Sequence, residues 1–143
     1  MAYGHAFVML AAAFGVRARI DGAAELLQES WCLMEALFWD EDHGAYADER
    51  DPSLAILSPY RGQNANMHAV EGLLAAYEST KETRYLDRAS IIAHKFTVTM
   101  TASTDGQIWE HYTTDWQHDW DYNIDKPDDL FRPWGYQPGH QVE

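Results

Sequence analysis

The chain has 143 residues and a formal net charge of −13, with six Trp and eight Tyr. That length suits one domain with a real core, and the aromatic content excludes a disordered segment. The charge excludes nucleic acid and anionic membrane surfaces as partners, because both require clustered Lys and Arg.

In chain order, Tyr3 to Phe14 is apolar and alanine-rich and reads as a buried helix. Asp21 is placed to N-cap a second helix running to about Phe38, with Ala24, Leu27, Trp31, Met34 and Leu37 or Phe38 at helical spacing. The single cysteine, Cys32, lies in that apolar pattern, which argues against a nucleophile and fits a reducing compartment. Asp40 to Gly44 is a turn, Gly44 to Asp48 a short strand, and Asp51 to Pro59 a loop. A third helix spans Gln63 to about Glu78, and a fourth Arg84 to about Met100, with Leu86, Ala89, Ile92, Ala93 and Phe96 on one face. Val98 and Thr99 are weak helix formers, so its end is poorly defined. Gly106 to Asp121 alternates as a hairpin does, with Ile108, Glu110 and Tyr112 on one side. Tyr122 to Gln137 is a long loop, of the kind that tends to be functional. No run reaches the length of a membrane span, and Met1-Ala-Tyr-Gly-His lacks the charged region and cleavage site of a signal peptide. The expected product is a soluble cytoplasmic protein, all-α, built as an array of helical hairpins with elaborated loops at one end.

Two stretches carry chemistry. At about 100° per residue, Val70, Leu73, Leu74 and Tyr77 gather on one side of the third helix. Asn64, His68 and Glu71 gather on the other, with small alanines between them rather than the Lys and Glu of a solvated face. This predicts a helix packed on one side and lining a polar cavity on the other. Near the C-terminus, Pro138-Gly139 has the form of a helix start, which places His140 in the first turn and Glu143 on the same face. The helix N-terminus opposes imidazole protonation and a carboxylate favours it, so a His between them suits proton transfer near neutral pH.

Arg61-Gly-Gln-Asn-Ala-Asn-Met-His-Ala-Val-Glu71 and Arg132-Pro-Trp-Gly-Tyr-Gln-Pro-Gly-His-Gln-Val-Glu143 resemble the N-acylglucosamine 2-epimerase superfamily, in its branch of mannose and sulfoquinovose-type aldose–ketose isomerases. Tyr3-Gly-His-Ala-Phe7 is similar to a third motif of that branch. The resemblance implies an (α/α)6 barrel with inner helices around a funnel, of which residues 1–143 are the central portion, truncated at both ends. It implies a monosaccharide substrate contacted by Asn64 and His68 with Tyr3 nearby. It casts His140 as a catalytic acid/base oriented by Glu143, with His68 also in the reacting group. A second catalytic His downstream and a substrate-binding Arg upstream belong to regions outside these residues. Aldose–ketose isomerisation through a cis-enediol follows as the expected reaction, with a sugar 2-epimerase as its near alternative.

Other readings make different demands. A metal enzyme would need clustered ligands, but the sequence has no His-Glu-x-x-His and no Cys pair, and His5, His43, His94, His111 and His118 are dispersed. No metal and no cofactor are expected. A glycoside hydrolase would use opposed carboxylates, with Glu110 and Asp115 or Asp119 as candidates. A non-catalytic sugar-binding module would keep aromatic contacts without turnover. Inner-helix surfaces exposed in a partial barrel predict self-association of the isolated chain, so a homo-oligomer is a further expected partner.

Overall fold

The computed structural model describes all 143 residues. Its helices are α1 (Ala2–Arg17), α2 (Ala23–Leu37), α3 (Gln63–Thr80), α4 (Thr83–His94) and α5 (Pro138–Val142). Four two-residue strands make two antiparallel pairs: β1 (Trp39–Asp40) with β2 (Ala45–Tyr46), and β3 (Arg61–Gly62) with β4 (His111–Tyr112). The fold is therefore mostly helical, with α3 packed between α1 and α4. No helix is long and apolar enough to cross a membrane.

Small side chains set the spacing of α1 and α3. On α1, Ala2, Ala6, Met9 and Ala13 are buried, and on α3, Ala65, Ala69, Gly72, Leu73 and Ala76. A Cβ on Gly72 would lie 3.0 Å from the backbone oxygen of Ala6, so the two backbones all but touch. This corrects the sequence reading of α3. Its alanines form the tight packing face rather than spacers in a polar wall, while Leu74 is exposed and Val70 only half-buried.

Other boundaries moved for local reasons. Asp21 does not cap α2. The chain leaves α1 through Arg19 and Gly22, both at positive φ, and Gly22 is itself the N-cap. Glycine is at home in that left-handed conformation, and the reversal consumes the residues that would have begun the helix earlier. Ala24 is exposed, and Ala23, Leu27, Ser30 and Met34 form the buried face instead. Cys32 is exposed, contrary to its apolar context in sequence. The fourth helix stops being regular at His94 and continues as a π turn (Lys95–Thr99) and a 3-10 turn (Met100–Ser103). Thr97 and Thr101 hydroxyls bond back to the carbonyls of Ala93 and Thr97, at 2.8 and 2.7 Å, which loosens the ladder there.

The hairpin expected over Gly106 to Asp121 is reduced to a short turn closed by the Thr113–Gln117 and Asp119–His111 backbone bonds, and a longer-range pairing is added to it. His111–Tyr112 pairs with Arg61–Gly62, and only a single bridge, Tyr112 to His118, falls within the segment. Trp109, Glu110, His111 and Tyr112 are all buried, so both faces of the strand meet protein and no solvated face exists.

Asp48 ties these parts together. Its backbone oxygen accepts the Ala2 N–H at 2.7 Å, at the start of α1, and its carboxylate accepts the Gly62 N–H at 2.6 Å, at the start of α3. Burial pushes its carboxyl up to about 7, with the Gly62 bond and the Arg132 and Arg61 charges pulling back. The folded state thus holds this proton more tightly than the unfolded chain does. The contribution to stability is full below the ordinary carboxylate value of about 4 and is lost as pH rises through about 7. In Asp48→Asn the amide oxygen still receives the Gly62 N–H. Urea unfolding of the full-length protein from pH 4.5 to 7.5 should therefore show a shallower loss of stability in the variant. An unchanged pH slope would contradict this account.

Candidate functional site

Three elements bring the sequence-predicted residues toward one another. On the first turn of α1, Tyr3 presents its ring edge to His68 of α3, with centroids 5.2 Å apart, and Phe7 one turn later lies 4.7 Å from the same imidazole. His68 Nδ1 is 3.2 Å from a carboxylate oxygen of Glu71 and 3.7 Å from one of Glu143, the C-cap of α5. Asn64, one turn before His68, keeps its Oδ1 buried without a hydrogen-bond partner. The ligand atoms of His68, Glu71 and Glu143 lie within 4.8 Å of one another, a spacing that can also hold a cation. Sequence spacing did not reveal that trio, because Glu143 reaches it from another helix.

His140 is held elsewhere than predicted. Pro138 opens α5 at its N-terminal position, as expected, and His140 sits in the first turn. Its Nδ1, however, meets Glu110 Oε2 at 2.8 Å, not Glu143. The i, i+3 spacing put Glu143 and His140 on one face, but α5 is docked so that Glu143 faces His68 instead. Glu143 is thus corrected from the partner of His140 to a neighbour of His68.

Glu110 is 4% exposed and sits at a crossing of three segments. Its backbone oxygen accepts the Gln63 N–H at 3.1 Å, and the Gln63 side-chain amide donates toward both carboxylate oxygens at 3.4 and 3.5 Å. Burial raises its carboxyl above the usual range, while the bonds from His140, Gln63 and the Gln137 backbone favour the charged form. Gln141, beside His140, fastens α5 to the segment that leads into β4 by bonds with the Ile108 N–H and carbonyl, at 2.9 and 2.7 Å. Sequence reasoning named Glu110 only as a hydrolase candidate. The available signal was a lone acid inside Ile108-Trp109-Glu110-His111-Tyr112, since a carboxylate in so apolar a run needs a partner.

A groove of about 550 Å³ runs between α3, the end of α4 and α5, and Glu71, His140 and Glu143 line it together with Val70, Leu74 and Phe96. Tyr3, Asn64 and His68 are not among its walls. They adjoin it through Glu71 and Glu143. Arg132 pairs with Glu49 at 3.2 Å and lies over the Tyr60 ring at 3.9 Å, in a separate cleft with Tyr122.

A model of the N-acylglucosamine 2-epimerase (GlcNAc 2-epimerase) family matches residues 1–143. The chain belongs to this family. Among relatives of the family, the D-mannose isomerase of Marinomonas mediterranea is 46% identical over 142 residues, which cover 99% of this chain and 36% of that protein. The D-mannose isomerase of Thermobifida fusca is 43% identical, with 35% of its length covered. The chain therefore spans about a third of the curated relatives it matches. A crystal structure of a D-mannose isomerase superposes with a TM-score of 0.95 at 45% identity, over 99% of this chain and 36% of that one. The cellobiose 2-epimerase of Spirochaeta thermophila shares the fold at a TM-score of 0.72 and 21% identity, over 81% of this chain and 31% of that one.

Behind the site, His111 is wedged between Tyr60 and Pro133. Its Nε2 lies 2.8 Å from the Pro133 carbonyl, which can only accept, so Nε2 carries the proton and Nδ1 receives the Tyr60 hydroxyl at 2.9 Å. Burial also lowers its pKa. His111 should therefore remain singly protonated, at Nε2, at pH 6.5 in a nitrogen-15 NMR titration. Two ring protons at that pH would contradict the assignment.

Proposed function

We propose that the full-length protein is a sugar isomerase that interconverts an aldose and its ketose, of mannose–fructose type. The observation that carries this reading is the convergence of α1, α3 and α5 on one group of imidazoles and carboxylates. The 46% identity to a protein named D-mannose isomerase supports the choice of reaction. On this reading residues 1–143 form the central portion of a single (α/α)6 barrel, with α1, α3 and α5 as inner helices and α2 and α4 outside.

The chemistry has few requirements. The sugar ring must open, and a base must then take the proton on C2. The C2–H electron pair forms the C1–C2 double bond while the C1 oxygen gains a proton, which gives the cis-enediol. Return of a proton to C1 and loss of one from the C2 hydroxyl yields the ketose. As C2 is deprotonated, negative charge builds on the C1 oxygen, so hydrogen-bond donors must already be aimed at it. Imidazoles exchange acid and base roles near neutral pH without a cofactor. We assign His140 as one acid/base group. Asn64 and His68 contact the hydroxyls near C1 and C2, with Tyr3 beside them and Glu71 and Glu143 holding His68. The unpartnered Oδ1 of Asn64 supports this, because a buried polar atom without a bond costs roughly 1–3 kcal/mol that a ligand hydroxyl can offset.

The hydrolase alternative requires Glu110 to face substrate as a free carboxylate. Its burial against His140 and Gln63 argues against that role. A 2-epimerase shares the first deprotonation and differs in reprotonating C2 from the opposite face.

Proton NMR of D-mannose in deuterated water, with full-length protein and its His140→Ala variant, tests the reading. Ketose should appear with the parent and fall by at least about 100-fold in the variant. A C2 epimer in place of ketose would move the assignment to a 2-epimerase, and full activity in His140→Ala would refute it.

A further inference from the structure

We propose that Glu110 is the positioning residue of the reacting imidazole, fixing His140 with its proton on Nδ1 so that Nε2 is the atom that exchanges protons with the sugar. This rests on the isomerase reading for its substrate, but its structural half stands separately.

Glu110 is almost wholly buried, and His140 Nδ1 is 2.8 Å from its Oε2. Donors from two elements, α3 and α5, converge on it. The Gln63 amide reaches both oxygens, His140 Nδ1 meets Oε2, and the Gln137 backbone favours the charged form. A carboxylate ringed by donors is an acceptor, so the ring proton of a neutral His140 lies on Nδ1 and the lone pair on Nε2. When Nε2 takes a proton from carbon, the imidazolium keeps its Nδ1–H bond to a charged acceptor, which strengthens as the positive charge forms.

Placement reinforces the assignment. Gln63 is the first residue of α3 and Glu110 immediately precedes β4, and their backbones are bonded to each other at 3.1 Å. The position of Glu110 is therefore set by the strand pair beneath it, not by a mobile side chain reaching across solvent. His140, in contrast, is on a short helix that the groove leaves partly open. A fixed acceptor behind a less constrained imidazole is the arrangement that orients a general base. Glu143, the acid closest to His140 in sequence, lies instead 3.7 Å from His68 Nδ1.

The test uses the full-length protein and has two readouts. In steady-state kinetics on D-mannose, Glu110→Gln should lower kcat by about 100-fold with KM changed by less than about threefold, because geometry is kept and charge is lost. Gln63→Leu, which removes one donor to the carboxylate, should lower kcat by a smaller factor, about tenfold. Independently of activity, histidine-selective nitrogen-15 NMR of the unmodified protein should show neutral His140 protonated at Nδ1. An Nε2–H tautomer would overturn the proposal, as would a Glu110→Gln enzyme that folds and keeps kcat within about threefold of the parent. If Glu110→Gln does not fold, the tautomer in the parent decides. If the parent converts no sugar, the isomerase reading fails, and the tautomer still tests the claim about Glu110.

Discussion

Gly72 has no side chain where the Ala6 carbonyl of α1 passes, and a Cβ there would sit 3.0 Å from that oxygen. With Ala65, Ala69 and Ala76 along the same stripe, α3 can lie almost backbone to backbone against α1. Close approach of this kind fixes rotation as well as distance, because small residues leave no slack for a helix to turn. Once α1 and α3 are locked, Tyr3 and Phe7 must fall against His68, and Asn64 must lie one turn away. Asp48 then sets the axial register, since one residue bonds to the first N–H of α1 and to the N-cap of α3.

From that pair the remaining parts follow by short links. The N-cap Gly62 belongs to β3, whose partner β4 begins directly after Glu110. Glu110 holds His140, and Gln141 bonds Ile108 just ahead of it, so α5 is docked by reference to α3 even though the two are far apart in sequence. The N-terminal ends of α1, α3 and α5 thus share one hydrogen-bonded seat. Two imidazole–carboxylate sets result: His68 with Glu71 and Glu143 at the edge of the groove, and His140 with Glu110 behind it. The carboxylates of the first set are exposed, which suits contacts with hydroxyls. The second has a buried acceptor and suits proton transfer.

Local pattern carried much of this into the sequence. The existence of every helix, the strand near Ala45 and the Pro138 start were legible because periodicity and backbone chemistry are local. So was the likeness of the Arg61 and Arg132 stretches to one family, which the match over residues 1–143 establishes. What failed depended on distance. The alanines of α3 read as spacers in a polar wall because nothing local says that a helix will approach within touching distance of another. The alternation near Glu110 suggests a hairpin, of which only the Tyr112–His118 bridge forms, while the ladder of His111–Tyr112 is completed about fifty positions earlier, at Arg61–Gly62. Glu143 was paired with His140 by i, i+3 spacing, yet helix docking turned it to His68. The identity of a carboxylate beside a histidine is a tertiary fact, and only the buried acid in an apolar run hinted at it.

The central claim is that Tyr3, Asn64, His68 and His140 surround the C1–C2 end of one open-chain sugar. A crystal structure of the full-length protein with D-mannitol, an open-chain polyol matching the substrate's hydroxyls, tests this most directly. The account predicts His140 Nε2 within about 3.5 Å of C1 or C2, Asn64 and His68 within hydrogen-bond distance of the adjoining hydroxyls, and Glu110 still on Nδ1. A polyol bound with its C1–C2 end away from His140, or with Nδ1 turned toward it, would contradict the account.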